Sequence, residues 1–394
     1  MTDTNLNFSR MEYAERLART RAAMQVAGID LLLASDPSNM AWLTGYDGWS
    51  FYTPQIVVVA IEDAEPVWIG RAMDAAGGRL TAWMRPENVL GFPETYVQQT
   101  DRHPMDWMAE WLRGQGWGSR RIGIEMEAYY YSAKAHERLV AGLPDARISD
   151  ASLLVNWIRA VKSSAEIAYL RKAARLAEAA VRAAYDTIVP GLRECDAIAA
   201  IQAAQVAGLP DVAGDITALP PTILGGENAT APHIMWSDRR FGANETVALE
   251  LAGACRHYTA GLARTLQLGT PGPKVAETAQ AVIEGMAAVL ATTRPGATAE
   301  AVEAAWRAVI ARYGLRKDSR IGYSIGLAYP PDWGEHTISL RAGDTTVLQP
   351  GNVLHCILGM WMDGWGLEVS ETILVTPTGC ETLTRFPRDV FYKS

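Results

Sequence analysis

Apolar residues recur at helical spacing from Met11 to Gly28, and the chain then switches to an uninterrupted apolar run, IDLLLAS, from Ile29 to Ser35. A run that short fits a buried strand better than a helix. The segments Gln55 to Ile61, Pro66 to Gly70 and Arg121 to Glu125 continue the strand series, with an amphipathic helix from His103 to Gln115 between them. The pattern predicts an α/β domain over residues 1–155 and a second domain over residues 156–394.

The second domain opens on a long helix that starts near Ser163, where Ser163 and Ser164 can cap and Glu166 sits favourably in the first turn. Pro190 and Gly191 end it, and a second helix follows from Arg193 to Ala207. The order of helix, Pro-Gly and helix returns around Pro295, 295 − 190 = 105 residues later, which suggests two related halves. Val247 to Gly269, Asn352 to Gly364 and Gly366 to Thr384 alternate and carry turn residues, so they read as antiparallel hairpin strands. Helix pairs interleaved with such strands predict an α+β domain.

Composition narrows the function without naming it. A net charge of -8, with no Lys/Arg-rich run, argues against nucleic-acid binding. No apolar stretch approaches the roughly 20 residues of a membrane span. The four cysteines have no C-x-x-C spacing and suit a reducing cytoplasm, where the N-terminal pattern also places the chain.

Five segments, in order, resemble one known family. IRAVKSSAEIAYLRKAARLAEAAV looks like its entry to the catalytic domain, and IVPGLRECDAIAAIQ like its Pro-Gly turn. ALELAGACRHYTAGLARTLQLG resembles its first metal-bearing hairpin. IGYSIGLAYPP resembles the G-H-G-I-G-L segment, and LQPGNVLHCILG through SETILVTPTGCETLT the closing strands. The chain is thereby similar to the creatinase and aminopeptidase P superfamily. The resemblance implies a pita-bread catalytic domain behind a smaller ribonuclease-H-like, creatinase-type α/β domain, and a homodimer.

Peptidases of that superfamily hold two metal ions with two aspartates, a histidine and two glutamates. Those positions fall here on Glu250, Gly261, Tyr323, Ile357 and Ser370, so only one keeps a carboxylate. A dinuclear site is therefore not expected, nor any other cofactor. The glutamates of creatinase, a metal-free member, correspond to Ala263 and Ile357, so its chemistry is not simply inherited. DGWSFYTPQ, APHIMWSD and GMWMDGWGLEVSETILV are similar to metal-free members that open a cyclic amidine. That likeness implies a small cationic or zwitterionic amidine as substrate and a complex with a downstream deacetylase.

Without a metal, C–N hydrolysis needs a proton acceptor, a proton donor and stabilisation of the tetrahedral intermediate. An amidinium is already electrophilic and attracts carboxylates and aromatic faces, each aromatic contact being worth roughly 0.5 to 2 kcal/mol. Glu250, a carboxylate on the apolar strand VALELAG, is the first catalytic candidate, because burying it without a purpose is costly. His233, in APHIMWSD, matches a histidine that handles protons or substrate in the family. Tyr52, Trp236, Tyr258, Tyr323, His355 and Glu368 are the candidate substrate-binding residues. Strand alternation puts Glu368 on the face of Ser370 and Glu371 on the opposite one, and His355 on the face of Ile357.

Two other classes compete. GYSIG matches a nucleophile-elbow pattern around Ser324, but Pro330 and Pro331 follow too soon for the helix an elbow requires. A noncatalytic binding protein on the same fold is the other, and His233 and Glu250 weigh against it.

Overall fold

The structure, a computed structural model, describes residues 6–62 and 65–393 and divides into two compact units, Met1–Ile158 and Arg159–Ser394. Helix α1 (Arg10–Ala27) is capped by Ser9 and closed by Gly28 at φ 69°, a left-handed conformation that glycine adopts without strain. It leads into β1 (Leu31–Ala34), α2 (Pro37–Thr44), β2 (Ile56–Ala60), β3 (Val67–Arg71), α3 (Ala75–Thr81) and β4 (Val89–Phe92). Then come α4 (Pro104–Gly114), β5 (Arg121–Ile124), α5 (Ala133–Gly142), β6 (Arg147–Asp150) and α6 (Leu154–Arg159). The strands form one mixed sheet in the order β4-β3-β2-β1-β5-β6. Its central strands are buried on both faces, which is why β1 and β2 read as continuous apolar runs. On one face Leu31, Leu33, Ile56 and Val58 pack with Met105, Met108 and Leu112 of α4 and Leu139 of α5.

The second unit repeats one plan twice. In the first half, α7 (Ser164–Thr187) and α8 (Glu194–Ala207) precede β7 (Thr222–Gly225) and the hairpin β8 (Thr246–Cys255) and β9 (Tyr258–Leu268). In the second, α9 (Pro273–Thr292) and α10 (Ala299–Arg312) precede β10 (Gly322–Ile325), β11 (Gly334–Ser339) and the hairpin β12 (Val353–Met362) and β13 (Trp365–Thr376). The short strands β14 (Gly379–Thr382) and β15 (Phe391–Lys393) finish the chain. The sheets run β15-β9-β8-β7 and β11-β10-β12-β13-β14. α7 starts with a reciprocal capping box between Ser163 and Glu166, and the other Glu166 oxygen accepts from the Tyr258 hydroxyl at 2.8 Å.

Alternation sorts each hairpin into two faces. Leu249, Leu251, Leu262 and Leu266 pack with Ala177, Val181 and Ile198 of α7 and α8. Leu354, Cys356, Leu358, Val369 and Ile373 pack with Val282, Met286, Val302 and Trp306 of α9 and α10. The opposite faces carry Ala248, Glu250, Ala252, Gly261, Ala263 and Thr265 from the first hairpin. From the second they carry His355, Ile357, Gly359, Glu368, Ser370 and Thr372. On those strands Glu250 and Ile357 are only half-buried, as is Tyr323 of β10, so this face borders an open cleft.

The hairpins are stitched along β9 and β13 by side chains. The Thr265 hydroxyl donates to Glu368 O at 2.9 Å and accepts from Glu368 N–H at 2.8 Å, and Thr372 donates to Gly261 O at 2.9 Å. Behind the strands the Arg264 guanidinium, fully buried, pairs with Glu371 at 2.8 Å and donates to the carbonyls of Ser370, Phe386 and Pro387. Glu371 also accepts from Arg388 and Thr384, so both buried charges are compensated. Glu371→Leu is expected to cost about 3 to 5 kcal/mol, because it strands Arg264 unpaired, whereas Arg264→Met with Glu371→Leu costs clearly less. Urea unfolding of the two variants checks the difference.

Candidate active site

The cleft face gathers residues from five strands and two loops. Glu250 sits in the middle of β8, opposite Ala263 on one side and Thr222 on the other. Tyr323 of β10 lies opposite His355 of β12, which lies opposite Thr372 of β13. Two residues on, Ile357 faces Ser370, and Gly359 faces Glu368. The missing side chain at Gly359 matters, since a Cβ there would lie 3.0 Å from a Glu368 carboxylate oxygen.

Two carboxyls dominate the electrostatics. Burial, with the charge of Asp332 added, pushes the Glu250 carboxyl up to about 7. Burial also holds Glu368 well above the ordinary carboxylate range; the charge of Glu250 raises it further and Lys317 partly offsets the effect. Asp332, which burial would raise, is instead held low by hydrogen bonds from His336 and from the Gly334 N–H. Two neighbouring carboxyls that both hold their protons more tightly than usual, one of them near neutrality, are groups that acid–base hydrolysis can use.

Aromatic rings wall this pair. The Trp333 indole N–H donates to the Tyr323 hydroxyl at 2.6 Å, and both rings stand edge-on to His355, with centroids 5.7 Å away. Burial and then the charge of Glu250 raise the Tyr323 hydroxyl, so it keeps its proton.

The positions that the family resemblance assigns to metal ligands are packed against one another here. A Cβ on Gly261 would come within 2.7 Å of the His355 ring, so the glycine makes room for that imidazole. His355 Nε2 hydrogen-bonds the Ser370 hydroxyl at 2.8 Å, which also accepts from the Ala263 N–H at 2.6 Å. Burial pushes the imidazole down to about 3, so it is neutral at physiological pH. Among the described residues no group of three or more His, Cys, Asp or Glu side chains is placed to hold a metal ion. The residues present therefore do not fit the dinuclear centre of the peptidases.

Of the residues singled out from sequence, the structure brings together Glu250, Tyr323, His355 and Glu368. Tyr258 lies at the far end of β9, five residues from Ala263 and so roughly 17 Å along the strand. It is stacked on Tyr169 with its hydroxyl engaged by Glu166. Trp236 packs half-buried against the α7–α8 core. His233 is exposed, a few residues beyond a 3-10 turn (Gly226–Thr230) whose Ala229 packs with Ala248 and Trp361. Tyr52 belongs to the first unit, where it is exposed and accepts from Arg71 at 3.4 Å. Ser324 lies buried on β10, hydrogen-bonded to Thr337, and a loop and β11 follow, so no nucleophile elbow exists. Asp332 and Lys317 escape a reading of the sequence, because they come from loops whose closing geometry leaves no periodic trace. A cavity of about 540 Å³ beside Gly225, Arg239, Thr246 and Trp365 lies elsewhere. Thr246 is four residues, roughly 13 Å, along β8 from Glu250, and the cavity's Arg239 is already paired with Glu194 and Glu245.

The two shifted groups give opposite stability slopes. The unfolded chain protonates the imidazole of residue 355 below its ordinary 6.5 and the native state does so only near 3, so stability falls as pH drops through that window. Native Glu250 keeps until about 7 a proton that the unfolded chain loses near 4.5, so its contribution falls as pH rises between those values. His355→Asn should flatten the acid-side slope by up to about 1.4 kcal/mol per pH unit. Urea midpoints of wild type and variant at several pH values below 6.5 measure it.

Comparison with known proteins agrees with the two-unit architecture. Residues 16–161 match the Creatinase/Prolidase N-terminal domain and residues 168–377 match metallopeptidase family M24. Over 400 aligned residues, spanning all of both chains, the sequence is 44% identical to the ectoine hydrolase of Halomonas elongata. It is 40% identical to an uncharacterised hydrolase/peptidase of Sinorhizobium fredii, covering 98% of this chain and 99% of that one. Among solved structures, the prolidase of Thermococcus sibiricus superposes with a TM-score of 0.84 over 98% of this chain and 100% of its own, at 19% identity. The prolidase of Pyrococcus horikoshii does so with a TM-score of 0.78 over 95% and 99%, at 22% identity. At those identities the superpositions speak for the fold alone. The family matches and the full-length relatives, together with this α/β unit and the duplicated helix-pair and hairpin unit, show that the chain belongs to the creatinase/prolidase superfamily.

Proposed function

We propose that the protein is a hydrolase of a non-peptide C–N bond that opens the cyclic amidine of ectoine to N-acetyl-2,4-diaminobutyrate without a metal ion. The observation that carries the reading is the placing of Glu250 and Glu368 on the cleft face of the two hairpins, where burial raises both carboxyls above their ordinary range. The full-length similarity to an ectoine hydrolase supports the substrate. Metal independence rests on Gly261 and Ser370 being committed to the His355 imidazole.

Glu250, as carboxylate, delivers the oxygen nucleophile to the amidinium carbon, by its own attack or by taking a proton from water. The adduct collapses by breaking one ring C–N bond, and the leaving nitrogen takes a proton from Glu368. His233, on the segment that follows the 3-10 turn, exchanges protons with solvent. Net, one water is added: its oxygen becomes the amide oxygen and both its protons end on the released nitrogen, which leaves as an ammonium. Tyr323, half-exposed on the cleft wall, borders the cationic ring. The product keeps an acetyl amide, which makes a deacetylase the enzyme that consumes it and a partner of a dimeric hydrolase.

Purified protein treated with excess chelator should convert ectoine to a single acetylated diaminobutyrate, and metal analysis should find no stoichiometric metal. Glu250→Gln should lose at least about a hundredfold in kcat. Unchanged turnover in that variant, or activity restored only by added metal, would overturn the mechanism. The pH profile supplies a separate test: kcat/KM should rise with pH through about 7 as Glu250 ionises, and a profile flat across that range contradicts its role as carboxylate.

A further inference from the structure

The mechanism above uses the cleft floor and leaves its cations unexplained. The segment between α10 and β10 carries Lys317 and Arg320. Lys317 is half-buried and its ammonium donates to Gly359 O at 2.7 Å, which sets it beside the Glu368 carboxyl that lies over Gly359. Burial lowers its affinity for a proton and Glu368 restores part of it. Arg320 is exposed, with its guanidinium carbon 4.3 Å above the centre of the Tyr323 ring, on the aromatic wall of the cleft.

Among the described residues neither cation forms an ion pair, although most arginines of this chain do. The floor beneath them is acidic, with Glu250, Glu368 and Asp332. A purely cationic substrate would be repelled by Lys317 beside Glu368 and by Arg320 over Tyr323. A zwitterion would satisfy both, with its amidinium on the carboxyls and its negative end turned toward the cations.

We propose that Lys317 and Arg320 form the carboxylate anchor of this site and make it selective for amidine rings that bear a carboxylate. Arg320 supplies a planar fork suited to two parallel hydrogen bonds, stiffened by stacking on Tyr323. Lys317 retains spare N–H donors after its bond to Gly359 O. The assignment rests on the hydrolase reading for the orientation of the ring. It adds which end of the substrate is read and by which residues.

The test compares ectoine with the same methylated tetrahydropyrimidine ring lacking the carboxylate, by steady-state kinetics and by calorimetric binding. Wild type should favour ectoine by about ten- to hundredfold, the range of a charged hydrogen bond. Arg320→Ala and Lys317→Met should each reduce that preference mainly through KM, and the double variant should abolish it. Arg320→Lys, which keeps the charge and loses the fork, should recover part of it. Binding read directly separates the two claims. Selective binding of ectoine without opening of either ring sinks the hydrolase reading and keeps the anchor. Equal affinity for both rings in wild type, or a preference that survives in the double variant, overturns the anchor, and binding of neither ring overturns both.

Discussion

The geometry of the cleft depends on the seam between β9 and β13. The two hairpins are separate antiparallel ladders, and what locks them in register is a set of hydroxyls reaching across to backbone groups. Thr265 takes both roles of a missing ladder partner toward Glu368, donating to its carbonyl and accepting from its N–H. Glu368 is thus held at the backbone itself. The buried Arg264–Glu371 pair closes the back of the seam, where it meets the carbonyls that the strands leave unpaired. Charges buried this way stabilise little in net terms and destabilise greatly when one is lost, so they enforce a single arrangement.

From that seam the electrostatics of the front face follow. Glu250 arrives on one hairpin and Glu368 on the other, and both are surrounded by apolar and aromatic groups, so they cannot both ionise cheaply. The compensation here is a retained proton, the ammonium of Lys317 and, in the proposed complex, the substrate's own positive charge.

Much of this organisation was legible in the sequence because it rests on periodicity. The capping box at Ser163 and Glu166, the two helix pairs around Pro190 and Pro295, and both hairpins carry local signals of spacing and composition. Alternation put Glu368 and Glu371 on opposite faces, and only the inferred position of Ser370 favoured Glu368 for the cleft. What escaped had no local signal. The turn between β8 and β9 is Arg256–His257, both at positive φ, where Asn-Gly would have announced it. Tyr258 and Trp236 carry aromatic rings in promising motifs, yet one is spent on tethering α7 and the other on a helix core. Asp332 and Lys317 acquire their meaning only through the residues they approach, which lie tens of positions away in the chain.

The joint made by Gly261, His355 and Ser370 bears on how such a site changes over generations. An aspartate cannot be placed at 261 while the imidazole occupies the space, and the imidazole cannot leave without depriving the Ser370 hydroxyl of its partner beside the Ala263 N–H. Each single substitution passes through a clash or an orphaned buried group, so the three residues can change only together. The joint works as an interlock, and variation is left to the rim of the cleft.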